Sequence, residues 1–329
     1  MAEVSIVIVC MNRPDILFPC LDSIRTGNAQ PVLETLVVAY QFSPENLAAL
    51  QERYPWVTVV LSDGVRGFSE NNNLALRQVR GKYCFVLNDD TTLPPHTVGR
   101  LVEDFGRLPD HAAAIAPRIV FPDGRVQTCG RSRWTPWRYF KHYLHLVDEG
   151  AVHSSTCATL GITRGSGPSG RGREATVPEC TTPSSGVFQT YTVNGACFLI
   201  KTEAFKSVGW FDERFFFTPE DIALGHALNE AGYTVWADPD VQITHYAGRS
   251  VSAMEQAIKP ARVRGSMIFY GEPFLLKAFV WCFEALRACK YFFLPRRGRN
   301  LVMRRTALNV MQAVFSNETP KELFIRFKP

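Results

Sequence analysis

The sequence predicts an α/β fold: a mostly parallel sheet flanked by helices, with a C-terminal amphipathic helical extension. Three observations carry that expectation. Short runs rich in Val, Ile and Leu recur through the first 120 residues, as strands buried on both faces require. Helical patterns alternate with those runs, which is the rhythm of strand–helix–strand units. From residue 259 onward the charge balance also changes: 14 Lys and Arg stand against 4 Asp and Glu there, while residues 1–258 hold 22 against 27.

Strands are expected at 4–10, 33–40, 57–61, 83–87 and 113–119, and helices at 15–25, 44–53, 71–80 and 95–108. Pro44 and Pro95 sit near first-turn positions, where a missing N–H costs nothing. Ligands in such sheets lie beyond the carboxyl ends of the strands, where Asn12, Tyr40, Asp63 and Asn88 to Asp90 fall. Residues 154–186 hold 21 Gly, Ser, Thr or Pro among 33 positions, which reads as a mobile loop: a lid, a binding loop or plain disorder. Beyond it come a strand at 191–200, a helix at 202–208 capped by Thr202, a helix at 220–231 ended by Gly232, and a strand at 241–244.

Residues 274–294 are apolar except for Lys277, Glu284, Arg287 and Lys290, which share one side of a helix that also carries Trp281 and five Phe. Four charges argue against a spanning helix, so it lies in an interface or packs on the body. With Arg296-Arg297 and Arg304-Arg305 behind it, an anionic membrane surface is the expected partner. Nucleic acid is the other anion such charge suits, but no recognition module accompanies it.

At 329 residues and 46% hydrophobic content, the chain has a core sufficient for one large or two modest domains. Nine cysteines without a C-x-x-C pair exclude a zinc-ribbon spacing and a disulfide framework, and suit reduced buried thiols in a cytosolic protein. Met1-Ala2-Glu3 runs into the first apolar stretch without a basic segment, so the start reads as a strand and not a signal peptide.

Three polar constellations stand out. Asn88-Asp89-Asp90 follows an apolar strand; one such carboxylate can anchor a divalent cation against a diphosphate, or the run is an Asx turn or helix cap. Glu220-Asp221 opens a helix behind Trp210, Phe211, Phe215, Phe216 and Phe217. The helix dipole favours acids there, and the aromatics wall a sugar-sized cleft or simply fill the core. His245 closes a strand, as a metal ligand beside Asp90 or a hydrogen-bonded structural residue. Arg66 and Gly67, before a Ser/Asn-rich helix start, suit an anion such as a diphosphate, or a plain cap.

Taken in order, residues 4–250 resemble the family-2 glycosyltransferases of the GT-A (Rossmann-like) fold, especially their bacterial rhamnosyltransferase-like branch. The matching segments are Val4-Ser5-Ile6-Val7-Ile8-Val9 with Asn12-Arg13-Pro14, Gly67-Phe68 with Asn72-Asn73-Leu74-Ala75-Leu76, Leu87-Asn88-Asp89-Asp90-Thr91, Asn194-Gly195-Ala196-Cys197, Gly209-Trp210-Phe211-Asp212-Glu213, Glu220-Asp221, and His245 with Gly248-Arg249-Ser250. The resemblance implies inverting transfer of a sugar from a nucleoside-diphosphate sugar to a saccharide or lipid-linked acceptor, with Mn2+ or Mg2+. Asp90 and His245 are then the metal ligands, and Asp221 the general base. Asn12, Asp63, Arg66, Gly67, Asn73, Asn88 and Asp89 are expected around the donor, and Asn194, Gly195, Trp210 and Glu220 around the acceptor.

Residues 1–120 would be the nucleotide-sugar half, 121–250 the acceptor half, and 251–329 the basic helical extension, placing the protein in the cytoplasm at the inner membrane face. Two departures count. Asn88 replaces the first acid of the family's D-x-D, a variant its rhamnosyltransferase-like branch tolerates, and the second strand ends Val38-Ala39-Tyr40 instead of Val-Asp, leaving Asp63 or Tyr40 to contact a uridine or thymidine base. These departures motivate a second reading, a non-catalytic sugar-nucleotide or carbohydrate-binding relative. A nucleotidyltransferase is disfavoured, because Cys10-Met11-Asn12-Arg13 lacks the glycine-rich loop that chemistry needs.

Overall fold

The computed structural model describes residues 3–144, 185–246, 254–294 and 298–328. Strand β1 (Val4–Met11) leads into α1 (Pro14–Gly27), β2 (Val32–Tyr40), α2 (Pro44–Arg53), β3 (Val57–Ser62), α3 (Phe68–Leu76) and β4 (Tyr83–Asn88). Next come β5 (Thr91–Thr92), α4 (Thr97–Phe105), β6 (Ala112–Val120), β7 (Val126–Thr128), α5 (Pro136–Tyr143) and β8 (Phe188–Thr190). The second half holds β9 (Cys197–Lys201), α6 (Thr202–Ser207), α7 (Glu220–Glu230) and β10 (Thr234–His245), then the helices α8 (Glu255–Phe269), α9 (Phe274–Phe292), α10 (Arg299–Val314) and α11 (Pro320–Phe327).

One sheet runs in the order β3-β2-β1-β4-β9-β6-β10-β5. Its long ladders, β1 with β2 and β4, β2 with β3, and β6 with β10, are parallel, and β9 enters antiparallel between β4 and β6. Alternation along β1 explains the two-sided core. Ile6 and Ile8 pack with Leu17, Leu21 and Phe85 on one face, and Val7 packs with Val38, Val86 and Phe198 on the other. Fully buried side chains such as Leu17 and Leu21 each contribute about 1.5–3 kcal/mol by leaving water.

The strand positions expected in the first 120 residues hold to within a residue or so, but other elements differ for local reasons. Helix α3 starts at Phe68, earlier than expected, because the Gly67 N–H is capped by Glu70 Oε2 at 3.0 Å. Residues 191–196 are not strand; Asn194 Oδ1 accepts the Ala196 N–H at 2.8 Å and turns the chain before β9. Thr202 is not the cap of α6, since its hydroxyl donates to the Gly81 carbonyl at 2.6 Å. β10 is much longer than 241–244 and carries a register shift between Asp238 and Gln242, around Pro239. The expected loop at 154–186, up to residue 184, lies outside the described residues, as do Gly248 to Ser250 and Arg296-Arg297.

The last four helices pack on the body through two apolar clusters. Val263, Met267, Leu276 and Val280 meet Trp134 and Tyr139, while Ala257, Ile258, Ala261 and Phe324 meet Phe216. Lys321 adds an ion pair to Glu70 at 2.7 Å. Helix α9 is the expected amphipathic helix, with Leu276, Val280, Glu284 and Ala288 buried and Phe274, Leu275, Trp281 and Leu286 exposed.

Candidate active site

A cavity of about 770 Å3 opens at the carboxyl ends of β1 and β4, bounded by the start of α3, the start of α7 and the inner sides of α8 and α9. Sheet register assembles its first wall. The short β5 pairs antiparallel with the end of β10, setting Thr91 opposite His245. Tyr246 N–H then donates to the Asp90 carbonyl at 2.9 Å, and His245 Nε2 lies 3.0 Å from Asp90 Oδ1. Residues 155 positions apart in sequence thus meet because of two ladder pairs.

His245 Nδ1 lies 2.8 Å from Gln127 Oε1. With Nδ1–H donating to that amide oxygen, the imidazole turns its Nε2 lone pair to the Asp90 carboxylate, an arrangement that a cation between the two satisfies. Asn88 Nδ2 stands 3.4 Å from the same nitrogen. Asp90 and His245 therefore fit Mn2+ or Mg2+ as a sparse protein set, which leaves the remaining positions for phosphate oxygens and water. Among the described residues no group of three or more His, Cys, Asp or Glu forms a fuller cage. Asp89 lines the cavity too, and burial pushes its carboxyl up to about 7 despite the hydrogen bond from the Cys10 thiol.

The second wall is the start of α7. Asp221 Oδ2 accepts from Arg131 Nη1 at 2.7 Å and from the Gly195 N–H at 3.2 Å, and Oδ1 accepts from the Ile222 N–H at 2.8 Å. Thr192 Oγ1 donates to the Asp221 carbonyl at 2.6 Å; a side chain at Gly225 would collide with Thr192, 2.3 Å from a Cβ there. Glu220 is the opposite case. It is buried, its Oε2 has no hydrogen-bond partner among the described residues, and burial first, then the charge of Asp221, push its carboxyl well up. The two acids are thus differentiated: Asp221 is held by a guanidinium and by backbone N–H groups, whereas burial pushes the Glu220 carboxyl well up.

A glycosyltransferase-like family 2 model matches residues 2–262. The chain belongs to that family. It is 26% identical over 261 residues to the O-antigen biosynthesis protein RfbC of Myxococcus xanthus, covering 78% of this chain and 18% of that protein. It is 25% identical over 235 residues to an N-acetylglucosaminyl-diphospho-decaprenol L-rhamnosyltransferase of Mycobacterium tuberculosis, covering 68% of this chain and 70% of that one. The chain therefore spans less than a fifth of the first relative and about two thirds of the second. In fold it resembles GalNAc-T7, solved with UDP, GalNAc and Mn2+ (TM-score 0.52, 14% identity, 74% of this chain and 44% of that one). It also resembles the mannosyltransferase PcManGT of Pyrobaculum calidifontis, in complex with GDP-Man and Mn2+ (TM-score 0.51, 14% identity, 98% and 78%).

In this family-2 chain, Arg66, Gly67, Asn88, Asp89, Asp90, Asn194, Gly195, Glu220, Asp221 and His245 all line the one cavity. Four expected site residues do not. Asn12 Oδ1 accepts from Ser43 N–H and Asn46 Nδ2 at 3.0 and 2.9 Å, so it braces the start of α2. Asp63 is exposed beyond β3, away from the lining. Asn73 is fully buried, donating to the Phe211 carbonyl and Glu213. Trp210 packs edge-on against Phe205 and, with Asn73, lines a separate cleft. Gly67 has a packing reason as well: a Cβ there would stand 2.1 Å from the Phe216 carbonyl. Tyr40 lines the cavity, its hydroxyl 3.4 Å from the Arg66 N–H.

Arg131 and Gln127 escaped the sequence reading. Arg131 stands in a Gly-Arg-Ser-Arg run with no helical or strand period, and an isolated bridge to Thr192 helps deliver it to Asp221. Gln127 sits on β7, three residues long.

Proposed function

We propose that the protein is an inverting, metal-dependent glycosyltransferase that moves a sugar from a nucleoside-diphosphate sugar to a saccharide or lipid-linked saccharide, in bacterial surface polysaccharide synthesis. What supports this most is one juxtaposition: the Asp90–His245 pair and the Glu220-Asp221 pair line the same cavity. Family membership and the name of the rhamnosyltransferase relative favour the lipid-linked acceptor.

In this reading Arg66, whose Nη1 also touches Ser62 Oγ, pairs with the donor diphosphate, and Asp90 and His245 hold the cation. When bound, the cation neutralises charge on the departing diphosphate. Asp221 Oδ1 accepts from the Ile222 N–H, and a carboxylate oxygen has a further lone pair to offer the acceptor hydroxyl. As the acceptor oxygen bonds to the anomeric carbon and the bond to the diphosphate breaks, that proton passes to Asp221. Arg131 and the Gly195 N–H keep the carboxylate oriented beforehand.

The same reading places the protein peripherally on a membrane. Eleven of the sixteen large apolar side chains exposed among the described residues lie between Phe274 and Ile325, with Leu275 at 83%, Leu286 at 71% and Phe293 at 85% exposure. Lys290, Arg299, Arg304 and Arg305 flank them, and Arg304 stacks on Phe292. Apolar burial plus basic flanks is how a helix lies in an anionic interface. No helix of the described residues is long and apolar enough to cross a membrane. Screening nucleotide sugars for metal-dependent release of nucleotide tests the enzymatic reading; release from none of them, with Mn2+ or Mg2+ and a lipid-linked acceptor present, overturns it.

A further inference from the structure

The cavity has a second basic region that the chemistry above leaves idle. Lys259 and Arg262 on α8 and Arg287 on α9 all line it, with Tyr143 of α5 beside them. Beneath them Glu284, fully buried, accepts from Lys259 Nζ and Arg287 Nη1, each at 2.8 Å, and from the Tyr143 hydroxyl. A carboxylate with three donors around it fixes two cations in place. The Arg262 side chain has no hydrogen bond or ion pair among the described residues, and this exposed residue lines the cavity wall. Counting Glu255, also in the lining, the cations still outnumber the acids here.

We propose that Lys259, Arg262 and Arg287 form an anion subsite that holds a phosphate of the acceptor, making the acceptor a phospho- or diphospho-linked saccharide instead of a neutral glycan. This rests on the transferase reading above and names the acceptor class for it. Position favours the acceptor over the donor. Helix α8 abuts the turn before α7: a Cβ at Gly265 would stand 2.4 Å from the Thr218 carbonyl, and Arg262 lies one helical turn before Gly265. The subsite therefore neighbours Glu220 and Asp221, whereas Asp90 and Arg66 lie in the β4–β5 and β3–α3 connections and His245 ends β10.

Helix α9 accounts for a lipid. Phe283 and Arg287 line the cavity while Leu286 and Phe293 of the same segment are exposed, so an anion held inside has an apolar surface beside it for a chain running to the membrane.

The test is binding of farnesyl diphosphate, of inorganic pyrophosphate, and of phosphatidylcholine vesicles with and without phosphatidylglycerol. Each is titrated into the full-length protein with and without saturating UDP or dTDP and Mn2+. Farnesyl diphosphate is expected to bind with the nucleotide present, and Arg262→Gln to weaken it about tenfold, as loss of a charge-assisted contact does. Arg262→Lys should recover part of that loss. Arg262 is exposed and unpaired, so the fold tolerates these changes; unchanged thermal melts confirm it. Pyrophosphate binding as tightly as farnesyl diphosphate, with the same Arg262 dependence, supports the anion subsite and assigns it to a soluble phosphosaccharide. Displacement of farnesyl diphosphate by the nucleotide, unchanged affinity in Arg262→Gln, or an Arg262 effect confined to vesicles overturns the proposal. Failure of the transferase reading shows up separately, as no nucleotide release from any donor.

Discussion

Arg131 Nη1 and Asp221 Oδ2 are 2.7 Å apart, with each side chain only 9% exposed. Removing one member of such a pair leaves a buried charge without its counter-ion, which costs about 3–5 kcal/mol. Arg131→Met is therefore expected to lower unfolding free energy by an amount in that range, and Arg131→Met with Asp221→Asn by clearly less than the two single losses combined. Urea denaturation of the four proteins in a double-mutant cycle measures this; strict additivity would dissolve the pairing.

Asp238 carries the clearest pH signature away from the cavity. It sits at the β10 register shift, 1% exposed, with Oδ2 unpartnered among the described residues, and burial pushes its carboxyl from 3.8 up to about 6. A raised carboxyl stabilises the fold fully below the unfolded value, and that contribution is lost as pH rises through the folded one. Asp238→Asn should therefore match the wild type near pH 3.5 and exceed it by on the order of 1–3 kcal/mol at pH 7 to 8. A wild type that gains on the variant as pH rises from 4 to 7 contradicts this.

Gln127 touches no substrate in this account, yet it orients His245 through Nδ1 at 2.8 Å. Partners of that kind are worth about ten- to a hundredfold in metal affinity. Gln127→Leu is expected to raise the Mn2+ concentration needed for nucleoside-diphosphate binding by that factor, read by titration calorimetry. An unchanged Mn2+ requirement removes His245 from the ligand set.

For the outer face of α9, Leu275→Asp with Leu286→Asp should abolish sedimentation with phosphatidylglycerol vesicles, since both side chains are more than two-thirds exposed and touch the core little. Wild-type binding should weaken as salt rises. Wild-type protein that ignores such vesicles at low salt ends the membrane assignment.

Much of this was legible beforehand because burial on both faces writes itself as runs of Val, Ile and Leu; β1, β2 and β4 are such runs. The helix of α9 was legible from its charges on one side. The encounter of Asp90 with His245 was written only as a resemblance, because the ladder that makes it is two residues long and leaves no period. Arg131 was invisible for a similar reason: its place depends on an isolated bridge. Asn73 and Trp210 misled in the other direction. They stand among motif residues, but a buried amide holding Phe211 and an indole on Phe205 serve the packing of α3 against the loop before α7. Polar and aromatic residue types do not say which side of a helix they will face. Of the acids, spacing marked Glu220-Asp221 as a pair, but only the fold shows that Arg131 holds Asp221 while Glu220 Oε2 has no partner among the described residues.

The division of labour between those two acids is the centre of the account. It is tested most directly by the turnover number of nucleotide release with a lipid-linked acceptor and Mn2+, compared among wild type, Asp221→Asn and Glu220→Gln. Loss of the base should cost Asp221→Asn about 10²–10⁴-fold, with donor affinity kept, whereas Glu220→Gln, an isosteric change at a carboxyl that burial pushes well up, should stay within about tenfold of wild type. A Glu220→Gln enzyme that is dead beside an active Asp221→Asn would contradict it.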